Sequence, residues 1–216
     1  MRKFLRNSEL QQLDWPEEFV GVGDLLDSSD VGTVGEASIA PKDHLQNKKE
    51  VVRFPPIKRI GIDSDVAAQL SDVYKMIYPC HAVHTVISIS ESFTRVKLNH
   101  RVLRASLTTG VFVKYANGDN ELRPAQIKRF LTNHAVISKE GKRKRVINTM
   151  VEVRLWKPHL ERYWYPDPFE VWSTHYESEC FILITHIFGQ FMNVQYKVKF
   201  NHGVEKVQAV IPLVGR

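Results

Sequence analysis

Beyond Pro79 the chain is cut into short runs of β-branched and aromatic residues, parted by Gly, Asn and Pro at roughly ten-residue intervals. That texture leaves few folds open. Side chains that alternate between two faces and stop at regular turn signals specify strands joined by tight connections, and hence a small barrel or sandwich. AVHTVISIS, from Ala82, is β-branched and partly alternating. FTRVKLNHRVLRASL continues it, with Val96 and Leu98 on one face and Arg95 and Lys97 on the other. GVFVKYANGDNELRPAQIKRFLTNHAVI reads as two strands around Asn117-Gly118, a pair that accepts the positive φ of a type I′ turn. SKEGKRKR is expected as a second loop with Gly141 at its tip, followed by the strand RVINTMVEVRLW, which Pro158 ends. LERYWYPDPF reads as an irregular connection, and ECFILITHIF as one buried strand broken at Gly189. FMNVQYKVKF alternates, NHGVE turns, and KVQAVIPLV closes the chain.

Upstream the pattern differs. Residues 1–60 read as an acidic, largely irregular arm, punctuated by Gly21, Gly23, Gly32 and Gly35, with Pro55-Pro56 against regular structure near Phe54. Residues 61–80 carry a short amphipathic helix: Val66, Leu70, Val73 and Ile77 follow steps of four, three and four. Ser64 or Asp65 is expected to cap it and Pro79 to stop it. Residues 81–216 form the β-barrel domain.

Charge divides along the same boundary. Residues 1–80 hold 10 Lys/Arg against 13 Asp/Glu, and residues 81–216 hold 20 against 11. An acidic arm on a basic body points to an anionic partner, or to masking of the body by the arm. No run approaches the ~20 apolar residues that a membrane helix needs. Two cysteines, Cys80 and Cys180, make no disulfide framework. A reducing compartment is expected, nuclear or otherwise cytoplasmic.

The order of pieces carries a resemblance. A basic strand pair, an NG turn, a strand ending in IKRFL, a VEVRLW strand, an apolar segment reading ITHIFGQF and a final AVIPL follow one another. Over about residues 81–216 this resembles the SH3-like β-barrel of bromo-adjacent-homology domains. It is similar, more closely, to a barrel found beside transposase sequences in CACTA-type DNA transposons of fungi and plants. The resemblance implies a chromatin or mobile-element interaction module with no catalysis of its own.

The residues themselves offer little chemistry of the bond-breaking kind. Cys80, His81 and His84 combine a thiol with imidazoles, yet adjacent strand residues point to opposite faces, and zinc needs four ligands. His175, Cys180 and His186 could complete such a site only through the fold. A hydrolase built on Cys80 and His84 predicts a thiol that reacts fast at neutral pH. The body's carboxylates fall mostly in turns or on alternating faces, and Asp24, Asp27 and Asp30 lack the closing Glu of a calcium loop. No phosphate loop, nucleophile elbow or HExxH occurs. The expectation is no catalytic residue, no metal and no cofactor, with no small-molecule substrate evident.

Basic residues are the better signal. Lys142, Arg143, Lys144 and Arg145 follow Gly141, and Lys128 and Arg129, with Arg101 and Arg104, add charge on neighbouring strands. Such clusters bind phosphate by charge-assisted hydrogen bonds and counterion release; a solvated turn is the plainer alternative. An aromatic surface is the second candidate: Tyr163, Trp164, Tyr165 and Trp172, with Trp156 nearby, hold rings of the kind that cage a cation. Plugging of the barrel end is the plainer reading of those rings. The chain is thus expected to be mainly β, a small SH3-like or bromo-adjacent-homology-like barrel behind one short helix and an extended N-terminal arm. Its expected partner is nucleic acid or chromatin, met through the basic segment and without a membrane. A protein–protein assembly module of a larger transposase-like complex is the alternative.

Overall fold

The structure, a computed structural model, describes residues 51–98, 101–106, 109–114, 122–165 and 169–213. The arm up to residue 50, the acidic cluster Asp24, Asp27 and Asp30, and the Asn117-Gly118 turn lie outside them. The elements in order are β1 (Val51–Arg53), β2 (Lys58–Gly61), α1 (Ser64–Ile77), β3 (Ala82–Val86), β4 (Ile89–Phe93), β5 (Arg95–Leu98) and β6 (Arg101–Arg104). Then follow β7 (Thr109–Lys114), β8 (Leu122–Lys139), β9 (Lys142–Pro158), β10 (Glu170–Leu183), a 3-10 turn (Ile184–His186), β11 (Ile187–Phe200) and β12 (Gly203–Leu213).

Six of these strands close a barrel. The ring runs β8, β7, β11, β12, β10, β9 and back to β8, and every pairing in it is antiparallel. The described residues are therefore mainly β with one α-helix among them, and compatible with a barrel of the SH3-like kind. Alternation sorts side chains inward and outward. Phe112, Trp156, Trp172, Phe191 and Val210, from five of the six strands, form one buried cluster inside the ring. The Phe112 and Phe191 ring centroids lie 4.9 Å apart, and Trp156 and Phe191 5.3 Å. Gly110 is needed for that packing, because a Cβ there would land on the Phe191 ring. Each aromatic ring so buried contributes about 1.5–3 kcal/mol relative to exposure.

The outward face of β7, β8 and β9 is covered by a second, three-stranded sheet ordered β1, β5, β6. Val96, Leu98 and Leu103 pack there against Val111, Val113, Val151 and Val153. Arg95 and Lys97 take the opposite face of β5, as the alternation requires.

The hairpin β8–β9 is longer than the barrel. Past a register shift between Ile127 and Arg129 it leaves the ring, and its far half carries β4 and β3 on the free side of β8, with β2 beyond β4. Helix α1 covers this extension. Leu70, Val73 and Tyr74 bury against Leu131, Ala135, Ile137, Val146 and Met150. Tyr74 also donates its hydroxyl to the Asn133 carbonyl at 2.9 Å, while Asn133 Nδ2 donates to the Ile87 carbonyl and Ser90 Oγ. Burial pushes the Tyr74 phenol above its ordinary range.

Several expectations need correction. The cap of α1 is Asp63, whose carboxylate accepts from the Val66 N–H at 2.8 Å, and neither Ser64 nor Asp65. Residues 51–60, assigned to the irregular arm, hold β1 and most of β2; each finds an antiparallel partner, β5 and β4. The barrel ring begins at Thr109, so β3 to β6 lie outside it. Residues 179–188 belong to two strands and a 3-10 turn, and Gly189 sits inside β11 at a register shift without ending it. Lys142 to Arg145 are strand, paired with Val136 to Lys139, where a loop was expected.

Candidate nucleic-acid interface

The tip of the β8–β9 hairpin is built on two residues. Glu140 and Gly141 both have positive φ, 51° and 77°, the backbone of a turn whose twist matches the strands on either side. So short a connection fixes the register to its end: Lys139 lies opposite Lys142, Ser138 opposite Arg143, Ile137 opposite Lys144 and Val136 opposite Arg145. Lys142 and Lys144 share the face of Val146; Arg143 and Arg145 share the other, with Ile147. All four cations are exposed. Arg145 Nε reaches His134 Nδ1 at 3.2 Å, and none of the four forms an ion pair among the described residues. Lys139 directly across from Lys142 sets like charges opposite one another, an arrangement that costs stability.

Lys128 and Arg129 lie on the same hairpin but far from its tip, and their charges are already matched. Lys128 Nζ donates to Glu152 Oε1 and Glu179 Oε2, both at 2.6 Å. Arg129 Nε donates to the other Glu152 oxygen, and Arg154 Nε to Glu179 Oε1 at 2.7 Å. Glu152 is only 6% exposed, and a buried carboxylate needs such partners. Burial pulls the Lys128 ammonium down, yet the hydrogen bonds from Glu152 and Glu179 outweigh it and hold the group above its ordinary value. Glu179 is held below the usual carboxylate range, first by Lys128 and then by Arg154. Arg101 is set apart as well: its guanidinium donates to the Phe188 carbonyl at 3.2 Å, and burial lowers its pKa. The basic residues named from the sequence therefore do not form one patch; the tip stands alone.

The aromatic residues do not meet as a cage either. Trp172 is fully buried inside the barrel, where its indole N–H donates to Glu170 at 2.9 Å. Trp164 packs edge-on against Phe200 on the outer face at 5.3 Å, with Tyr165 in the same cluster. Trp156 lies in the barrel core. Tyr163 is 71% exposed, while Trp164 and Tyr165 are half-buried. Two of these rings do hold a cation, and it is the protein's own: the Arg162 guanidinium sits 4.1 Å from the Trp172 ring centre and 5.0 Å from that of Tyr163.

Cys80 is exposed and His84 Nε2 lies 2.6 Å from Ser138 Oγ. Burial raises the Cys180 thiol to about 11. Among the described residues no three His, Cys, Asp or Glu side chains converge as metal ligands would. No helix among them is long and apolar enough to cross a membrane. No protein-family model, curated protein or solved structure matches the chain.

Proposed function

We propose that the protein is a non-catalytic binding module that docks on nucleic acid or chromatin through the β8–β9 tip, in a nuclear or mobile-element setting. One observation carries the reading. Lys142, Arg143 and Lys144 make no ion pair among the described residues, whereas Lys128, Arg129 and Arg154 on the same hairpin are all paired. Unpaired cations on a rigid two-stranded prong suit phosphate, which is recognised by charge and released counterions more than by sequence. A two-stranded ribbon also has the width to enter a major groove. The nuclear and transposon setting rests on the resemblance of residues 81–216 alone.

The test is an anisotropy titration of the full chain against duplex and single-stranded DNA and RNA across a salt series. Changing Lys142, Arg143, Lys144 and Arg145 together to Ser should lower affinity roughly 50-fold or more at low salt and flatten the duplex salt slope by about 3. Unchanged affinity in that variant sinks the reading.

The assembly alternative keeps one observation of its own. Leu160 and Tyr163, in the connection between β9 and β10, are 99% and 71% exposed, and apolar groups so placed suit a protein partner. Complex formation through them should change little with salt.

A further inference from the structure

Past the barrel, the two faces of the β8–β9 hairpin are covered unequally. Leu131, Ala135, Ile137, Val146 and Met150 lie under α1. The residues between them in each strand point the other way. On that side Phe130 and Val151 are covered by the three-stranded sheet of β1, β5 and β6. Thr132 and Thr149 follow, with hydroxyls 3.4 Å apart. Then come His134 opposite Ile147, Val136 opposite Arg145 and Ser138 opposite Arg143. Ile147 is 59% exposed, and Arg143 and Arg145 are exposed with it, so the far end of this face is open.

The open end is basic without compensation. Arg145 Nε reaches His134 Nδ1, and His84 Nε2 meets Ser138 Oγ, contacts that neutralise no charge. Glu91, opposite Thr132, brings a carboxylate to this side, but it pairs with Arg53 of β1. Against Lys139 and Lys142 to Arg145 the tip itself sets one carboxylate, Glu140 in the turn. Guanidinium groups beside an exposed isoleucine suit a ligand that is both acidic and apolar.

The chain carries such a ligand. Between Arg6 and Lys42 the sequence holds eight Asp and Glu and no Lys or Arg, interleaved with Trp15, Phe19, Leu25 and Leu26. Its attachment begins on the right side of the hairpin. Val51, the first described residue, packs against the cluster that contains Phe130 and Val151, hence on the face of β9 that also bears Ile147, Arg145 and Arg143. From Val151 to Arg143 the strand runs about 27 Å. From Glu36 to Val51 the chain can span about 50 Å, which is reach enough. We infer that the acidic segment from Glu9 to Glu36 docks on this open face of its own molecule. Its carboxylates meet Arg143 and Arg145, and its apolar side chains meet Ile147. Covalent attachment makes the contact intramolecular, so even a weak one is occupied at an effective concentration of about a millimolar. Nucleic acid at the tip would meet the segment as a competitor for the same cations, but the docking does not depend on that reading.

The experiment is zero-length carbodiimide crosslinking of the full chain, which joins a carboxylate to an amine only at ion-pair distance, read by mass spectrometry of the monomer band. Lys142 and Lys144 supply amines at the tip, and Arg145→Lys adds one on the open face with the charge kept. Lys197, Lys199 and Lys206, exposed on the barrel, are the reference. Segment carboxylates should join tip amines at least about fivefold more often than reference amines, in a yield independent of protein concentration. That excess should vanish at about 0.5 M salt and fall about threefold in Ile147→Ser. An excess confined to the dimer band and lost on dilution gives the face to a second molecule's segment and overturns docking within one chain. Equal yields at tip and reference overturn it outright. With the eight carboxylates changed to Asn and Gln, duplex affinity at low salt should rise about tenfold. Unchanged affinity in that variant overturns the placement on Arg143 and Arg145. Crosslinks without any nucleic-acid binding leave the docking standing and the nucleic-acid reading fallen, and binding without crosslinks does the reverse.

Discussion

The two ends of the β8–β9 hairpin carry similar side chains with opposite fates. At the barrel end, Lys128, Arg129 and Arg154 close on Glu152 and Glu179 in a network that is partly buried. At the tip, Lys139 and Lys142 to Arg145 face solvent with like charges opposed. The strand order supplies the reason. Near the barrel, β10 lies beside β9 and brings Glu179 across from Arg154; the pairing of β10 with β9 ends at Met150, so no such neighbour reaches the tip. Charge within the packed region contributes to stability, while charge beyond it is left to solvent.

The largest effect that tests this contrast is on the barrel side. Glu152→Ala leaves Arg129 without its carboxylate and Lys128 with Glu179 alone, and should cost about 2 kcal/mol, read as a lowered denaturant midpoint, with nucleic-acid affinity unchanged. Equal losses of stability and affinity would mean that the two ends are not separable. The fourfold Ser variant of the tip is the mirror experiment: a large loss of affinity with Tm held within a few degrees. Gly141→Ala, at φ 77°, should cost about 1 kcal/mol and weaken binding only slightly, since the turn distorts while the charges stay. Lys139→Glu replaces a repulsive cross-strand pair by an attractive one, so stability should rise by about 0.5 kcal/mol as affinity falls. The smallest effect is one of pH. Because Glu179 is held below the usual carboxylate range, the unfolded chain binds the proton more tightly. Its contribution is complete above roughly pH 4.3, the ordinary Glu value, and is lost as pH falls through the lowered folded value. Glu179→Gln should therefore flatten the acid limb of the stability curve, and an unchanged limb would remove Glu179 from the network.

What the sequence revealed follows from what is local. The stripe Val66, Leu70, Val73 and Ile77 located α1, which runs from Ser64 to Ile77 inside the expected 61–80, and the alternation of Val96 and Leu98 gave the buried face of β5. Tyr74 was missed as a core residue because its hydroxyl is satisfied by Asn133, 59 positions away. The basic run was expected as loop because it has no apolar alternation; its ladder partners, Val136 to Lys139, fix it as strand. Pairing of Arg129 with Glu152 depends on register, which no local pattern states. Trp172 was grouped with the candidate aromatic surface, yet it lies two residues into β10, which turns it inward. The burial of Gln126 and Gln208 gave no signal at all, since a polar residue in an alternating strand reads as solvent-facing until the ring is closed.

One feature of the hairpin reaches beyond binding. Residues 142–149 of β9 pair with β8 on one side, and no described strand pairs with their other side. An open row of backbone donors and acceptors invites a stray strand from a second molecule, and lysine and arginine along it are the common deterrent. Lys142 to Arg145 thus stand as gatekeepers of that edge, a role separate from the contacts proposed for them. Replacing them with β-branched residues would remove both roles together and expose the chain to self-association; serine leaves the edge polar and the two roles open to separate measurement.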